Sequence, residues 1–563
     1  MSASAALASP RREALALAAL ALLPLLPFLP TAISIDAPVF VAVARRILEA
    51  PADPFGFQMI WDPTSPEAAS FNRNPPLLSY WIAPWMAWLG EKDLVLHAVV
   101  LPFPLVAALS FFGIARRLCG VAFSPAALLV TTPAFLVLAT TLLLDVPTLA
   151  FLLLAVFAFL RGSEGEGAPA WQWASGLATA AAGLTKYVAF ATAPLLAAGC
   201  VLLAPRSAGR ALRVLAPPLV AWTLWGAWTA HLYGTPHFLG STDVVFDRTL
   251  EPSEFWNQLV SAPVYGGAAL VFPIAWWAAR LVRGGRGSQL AVLGVLLGAA
   301  AVTFVLPRGE PPRRNPLEVD EAVLAALGFA GAFALWVACL APARSLASPE
   351  DRFLSLWLGG FLVWSLFLNW HVNAADALLA APPLLLILFR HAELRPGGRF
   401  VAICVAVQLA LSLLLATADA IQANFYRSAA LRIAAEIGDQ PGARWHVGHW
   451  GFQHYLAQQG FRPVLPPQYG RSELHEGDWV ASARNVSQLD VSRDMHRYRL
   501  RAVWTWTETS ALPLRTTNAD ASGGFYSHQA GYVPFAWSTL PVDQIALGRV
   551  VSVRGARPPA SPP

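Results

Sequence analysis

The sequence predicts an all-α polytopic membrane bundle of about thirteen transmembrane helices, followed by a C-terminal extracytoplasmic α/β domain. Three observations carry that prediction. Apolar runs of roughly 20 residues, the length a helix needs to cross a bilayer, recur between Ala14 and Ala416. Arginines gather at alternate ends of successive runs, as the positive-inside rule requires. From about Asp419 the runs stop, and mixed helical and strand-like patterns replace them.

Composition agrees. Of 563 residues, 56% are hydrophobic and only 13% charged, and the mean hydropathy is +0.51, which excludes an ordinary soluble domain. A net charge of +5 does not point to a nucleic-acid partner, because the basic residues sit in short clusters between apolar runs. Lysine occurs only at Lys92 and Lys186. Cys119, Cys200, Cys339 and Cys404 lie in or beside apolar runs, without disulfide or zinc-ligand spacing.

In order, the expected spans are Ala14–Ile33, Leu94–Ile114, Phe123–Leu143, Val146–Leu160, Trp173–Thr185, Tyr187–Leu203 and Leu212–Leu232. Pro263–Leu281, Leu290–Leu306, Val323–Leu340, Phe353–Trp370, Ala377–Phe389 and Phe400–Ala416 complete the set. The first run lacks a small-residue cleavage pattern before Asp36 and reads as a retained helix. Arg11/Arg12, Arg116/Arg117, Arg161, Arg206/Arg210/Arg213, Arg280/Arg283/Arg286, Arg344/Arg352 and Arg390/Arg395/Arg399 define the cytoplasmic face. The loop 34–92, Asp145, Lys186 and everything after Thr417 then face outward. Trp222, Trp225 and Trp228 read as interfacial anchors.

The membrane domain is expected over 1–417 and the outer domain over 418–563. In the latter, Asn424–Ile437 and Gly451–Gln459 read as helices. Trp445–Val447, Phe461–Leu465 and Trp479–Ser482 read as strands, and Arg554–Pro563 as a disordered tail.

Several short motifs, taken in order, bring a family into view. Ser34-Ile35-Asp36-Ala37-Pro38 opens the first outer loop, and Phe71-Asn72-Arg73-Asn74-Pro75-Pro76-Leu77-Leu78-Ser79-Tyr80-Trp81 closes it. Leu144-Asp145-Val146-Pro147, Gly183-Leu184-Thr185-Lys186, Ala375-Asp376-Ala377 through Pro382-Pro383-Leu384, and Gly448-His449-Trp450-Gly451-Phe452-Gln453-His454-Tyr455 follow. The set resembles the C-type-fold glycosyltransferases that use polyprenyl-phosphate sugars, relatives of the protein O-mannosyltransferases and the lipid A aminoarabinose transferases. Two departures stand out. The late-span Arg-Tyr pair of the family is absent, and Asn74 stands where the aminoarabinose transferases carry a lysine.

The resemblance implies an inverting sugar transfer to an envelope acceptor (a glycolipid, glycan or protein) at a bacterial inner membrane. No resident cofactor is implied, although the chemistry leaves room for a divalent metal; the polyprenyl-phosphate sugar is the donor substrate. In that chemistry a carboxylate takes the acceptor's proton, and cations stabilise the departing phosphate. Asp36 is the candidate base, and Asp145 its partner or an acceptor-positioning group. Arg73 and Lys186 are candidate phosphate ligands, with Asn74 and Tyr80 as substrate contacts.

Plainer readings stand beside these. Asp36 and Asp145 each precede an x-Pro step and read equally well as helix caps, and Lys186 as a snorkelling side chain. His449 and His454, five residues apart, do not share a helical face well, which speaks against metal ligation and for a fold or acceptor-contact role. Asn485-Val486-Ser487 fits a sequon but is too short to weigh. Arg308, Arg313 and Arg314, in a loop expected outside, break the positive-inside pattern, as solvated surface charge or as ligands for the donor's phosphate. A polytopic transporter or flippase is the rival class. It would carry midspan charges or paired repeats, and no convincing repeat appears in the sequence.

Overall fold

A computed structural model describes residues 9–61, 65–163, 168–203, 207–240, 252–283, 292, 295–296, 319–340, 348–369, 371–470, 472–486, 495–518 and 523–553. The chain divides into two compact units, each assembled from separated segments. One contains Met1–Leu29, Asn74–Thr417 and Leu514–Ser538; the other contains Pro30–Arg73, Ala418–Pro513 and Thr539–Pro563.

The first unit is helical. Its opening helix, Pro10–Leu22, starts with Pro10 at the first position and Ser9 accepting the Arg12 N–H, an arrangement that suits a helix start. Proline lacks the N–H that an α-helix interior needs. The chain accordingly tightens to a 3₁₀ turn at Leu23–Phe28, where Pro24 and Pro27 fall, and the expected span to Ile33 stops short as an α-helix. Pro102–Cys119 carries Arg116 and Arg117 in its last turn and ends at Gly120, whose φ of +69° favours glycine. Asp145–Arg161 packs on Pro102–Cys119 and on Ala168–Thr185, which in turn packs on Ala208–Tyr233.

Small residues let these backbones approach. A Cβ on Gly176 would lie 2.6 Å from the Arg213 carbonyl, and Gly267 of Pro252–Ala268 meets Gly328 of Val319–Leu340 backbone to backbone. Buried polar groups are tied down. Thr131 Oγ1 donates to Gln408 Oε1 at 3.0 Å, and Ser412 Oγ donates to the Thr131 carbonyl at 2.9 Å. The chain turns by 80° between Asn257–Ala268 and Phe272–Val282, where Val271 sits at φ +64°.

Among the described residues four helices are long and apolar enough to cross a bilayer: Asp93–Cys119, Asp320–Leu340, Pro349–Leu368 and Gly398–Ile437. Counting the bent pair as one span makes five, against the expected thirteen or so. Asp145–Arg161 and Ala374–Arg390, at 17 residues each, stand at the short end of what spans a bilayer. Leu290–Leu306 lies almost wholly outside the described residues. Two of the expected interfacial tryptophans are half-buried and hydrogen-bonded within the helical unit. Trp222 Nε1 donates to the Ala180 carbonyl at 3.2 Å and Trp225 Nε1 to Tyr187 Oη at 2.9 Å, while Trp228 is 43% exposed.

The second unit is built on a five-stranded mixed sheet with β1 Arg444–Val447, β2 Arg462–Pro463, β3 Trp479–Ala483, β4 Tyr498–Glu508 and β5 Asp543–Val553. The order is β2-β1-β3-β5-β4, with β1 parallel to β2 and β3, and β5 antiparallel to β3 and β4. Helix Trp450–Gln458 makes the crossover between β1 and β2. The expected second strand, Phe461–Leu465, pairs only at Arg462 and Pro463. β4 and β5 were not expected. The helix read at Asn424–Ile437 is the end of one 40-residue helix, Gly398–Ile437, with no break after Ala416. Ser487 and the tail Arg554–Pro563 lie outside the described residues.

Candidate active-site residues

In the helical unit, Asp145 occupies the first position of Asp145–Arg161, after the N-cap Leu144. Its carboxylate does not cap. Asp145 Oδ1 instead accepts from Lys186 Nζ at 2.7 Å, with both side chains largely buried. Lys186 follows Ala168–Thr185 in an extended conformation (φ −151°, ψ 130°), so the chain leaves the helix there and turns the ammonium to Asp145. The ion pair therefore replaces both plainer readings, the cap and the snorkel.

A second carboxylate belongs to the same locus. Asp376, 5% exposed, interacts electrostatically with both Lys186 and Asp145. It forms a capping box with Asn373 at the start of Ala374–Arg390. Its Oδ2 also accepts from Asn369 Nδ2 at 2.9 Å, and the Asn369 carbonyl accepts from Gln258 Nε2 at 2.6 Å. Asp376 is thus within electrostatic reach of the Asp145–Lys186 pair. Asp376 and Asn369 were absent from the expected site, though Asn373-x-x-Asp376 before an apolar run is a legible capping signal. Next to Lys186, Tyr187 Oη lies 2.6 Å from His237 Nδ1.

In the other unit, Asp36 stands at the N-cap of Ala37–Glu49 and makes no capping hydrogen bond through its side chain. It is exposed, while Ala37, Pro38, Val39, Phe40 and Val41 behind it are buried. Ile35, directly before it, holds φ +53°. A β-branched residue in the left-handed region is strained by roughly 1–3 kcal/mol. Such strain persists only where the surroundings impose it, and it clusters at functional sites. Here Ile33 N–H donates to Tyr455 Oη at 2.8 Å, and Ala32 N–H to Asn424 Oδ1 at 3.0 Å. A Cβ on Gly451 would lie 2.5 Å from the Ile33 carbonyl.

The histidines of the 448–455 segment have partners within their own unit. His449 stacks on Trp61 with centroids 5.4 Å apart, and His454 Nε2 lies 3.0 Å from Gln458 Nε2. Of the remaining expected ligands, Arg73 and Asn74 are half-buried and Tyr80 is 36% exposed on helix Leu77–Leu89. Arg308, Arg313 and Arg314 lie outside the described residues. Among the described residues no three His, Cys, Asp or Glu side chains come together to hold a metal ion.

The sequence model of the dolichyl-phosphate-mannose-protein mannosyltransferase family matches residues 97–236. That stretch contains both Asp145 and Lys186, so the resemblance drawn from Leu144–Pro147 and Gly183–Lys186 rests on an independent match. No curated protein matches the chain significantly. Among solved structures, ArnT from Cupriavidus metallidurans in the apo state aligns at 14% identity and TM-score 0.43, over 96% of this chain and 99% of that one. The same protein bound to undecaprenyl phosphate gives 14% and 0.42, over 97% and 98%. The oligosaccharyltransferase of Archaeoglobus fulgidus in the apo form gives 15% and 0.44, over 81% and 65%.

Proposed function

We propose that the protein is an integral-membrane glycosyltransferase of the C-type fold that moves a sugar from a polyprenyl-phosphate donor to an envelope acceptor. The observation that carries this reading is the Asp145–Lys186 pair, buried at the start of an apolar helix inside the stretch matched by a glycosyltransferase family. The acceptor oxygen or nitrogen attacks the anomeric carbon, its bond to the phosphate oxygen breaks, and Asp36 takes the acceptor's proton. A single displacement inverts the anomeric configuration. Lys186 has three N–H donors, one of them committed to Asp145. A donor phosphate competes with Asp145 for the charge of that ammonium. Asp145 holds the ammonium in place and orients the acceptor.

Arg73, Arg308, Arg313 and Arg314 are proposed as further phosphate contacts and Asn74 and Tyr80 as substrate contacts, on the sequence alone. The site faces the extracytoplasmic side of a bacterial inner membrane, and reporter fusions after Thr417 and after Pro563 should be active only as exported proteins. The decisive test incubates purified protein with a labelled polyprenyl-phosphate sugar and envelope acceptors. Transfer of label with release of polyprenyl phosphate is expected from the parent and not from Asp36→Asn. Movement of the intact lipid-linked sugar across vesicles without bond cleavage would make the protein a flippase.

A further inference from the structure

The 448–455 segment lies in none of the roles assigned above, yet it carries two of the molecule's unusual backbone positions, Gly448 at φ +120° and Trp450 at φ +58°. Both lie just before or at the start of Trp450–Gln458, the crossover helix between β1 and β2. A Cβ on Gly448 would lie 2.5 Å from Val486 Cγ2, so the turn is pressed against its neighbours. Gly451 then abuts the Ile33 carbonyl, and one turn later Tyr455 Oη receives the Ile33 N–H. Both polar groups of the Ile33 peptide segment are thus defined by one helix.

Asn424 holds the preceding peptide through Ala32 N–H, and Arg427 spans Asn424 Oδ1 at 2.9 Å and the Pro30 carbonyl at 3.1 Å. The stretch from Pro30 to Ile33 is fixed at three successive points, and the strained residue, Ile35, comes two residues after the last of them. An unrestrained isoleucine would relax out of the left-handed region. The clamp keeps it there, and Asp36 is the next residue.

We infer that Gly451, Tyr455 and Asn424 are positioning residues for Asp36, acting through the Ala32–Ile35 backbone to aim its carboxylate. This rests on the proposal that Asp36 is the general base. The physical reason is leverage: a group held in a strained conformation reports small displacements of its anchors, and a displacement of about 1 Å at a reacting group can cost roughly 100-fold in rate.

The test uses the full-length protein and compares Tyr455→Phe, Gly451→Ala and Asp36→Asn for turnover per bound donor, donor KM and thermal stability. Tyr455→Phe removes one hydrogen bond and little volume; Gly451→Ala displaces the Ile33 carbonyl. Both should lower kcat per donor-binding site by roughly 10- to 100-fold, with donor KM about unchanged. A purely structural role would lower the number of competent sites and leave turnover per site intact, which would overturn the inference. Parental turnover in both clamp variants alongside an inactive Asp36→Asn would also overturn it, while leaving the general base in place. Parental turnover in Asp36→Asn would remove the base itself. If Gly451→Ala fails to fold, Tyr455→Phe alone decides.

Discussion

Asp36 and Asp145 share one local motif, Asp-x-Pro at the start of an apolar helix, and the fold treats them in opposite ways. Asp145 is buried and held electrostatically, its carboxylate 2.7 Å from Lys186. Asp36 is exposed and follows a strained Ile35 and a hydrogen-bonded backbone segment. Neither carboxylate caps its helix. The comparison teaches that an identical three-residue signal fixes where a helix begins but not what the acid is for. A buried carboxylate needs a partner because its desolvation penalty is otherwise several kcal/mol. An exposed one stays in contact with water and carries little of that penalty.

The largest expected effect breaks the comparison on the exposed side. Asp36→Asn should cut turnover by about 100- to 10,000-fold, the usual range for a general base, while thermal stability stays near that of the parent because asparagine keeps the side-chain volume and suits an N-cap equally well. Steady-state transfer and a melting curve check both halves.

Next comes the buried side, where stability responds first. Lys186→Met leaves Asp145 without its counter-charge, and breaking a buried pair from one side costs about 3–5 kcal/mol. The variant should therefore melt well below Asp36→Asn. Asp145→Asn releases the ammonium, so donor binding should hold or tighten while turnover falls. Weaker donor binding in Asp145→Asn would mean that the pair, and not the ammonium alone, meets the phosphate.

The smallest effect sharpens the contrast through pH. In the unit that clamps Asp36, burial and the neighbouring His449 push His446 down to about 3 from its usual 6.5. The folded protein then binds fewer protons than the unfolded chain between those values. Its stabilisation is full above about pH 6.5 and is lost as the pH falls toward 3, by up to a few kcal/mol. Amide-exchange protection at Ile33 should accordingly fall on acidification, and His446→Phe should flatten that dependence. An unchanged acid response in His446→Phe would assign the effect elsewhere. Buried Asp543 runs the other way: its raised carboxyl binds protons more readily when folded, so its contribution weakens as pH rises.

Much of the molecule was legible from residue order alone. Hydropathy and length marked the apolar helices, since crossing a bilayer or filling a bundle demands them locally. Several ends were misplaced: the span read to Ile33 stops at Leu22 as an α-helix, and the one read to Ile114 runs on to Cys119 before Gly120. Trp445–Val447, Gly451–Gln459 and Trp479–Ser482 were readable from periodicity, and the structure has elements there. The two long strands were missed although Arg499–Thr507 and Gln544–Val553 alternate with period two. Pairing across the intervening segment, not their own pattern, makes them a sheet.

The placement of charge could not be read in the same way. Nothing in Asp-x-Pro distinguishes the buried aspartate that meets a lysine 41 residues away from the exposed one at an N-cap. Asp376 reads in the sequence only as part of a short late motif, and the fold gives it Asn369 and Asn373 as partners and the electrostatic influence of Asp145 and Lys186. Nor does a sequence reveal that Tyr455, 422 residues from Ile33, supplies its hydrogen-bond acceptor. Helix formation is set by neighbours within a few turns, so one dimension suffices to read it. Desolvation, ion pairing and backbone strain depend on which distant groups share a few ångströms, and only the folded chain decides that.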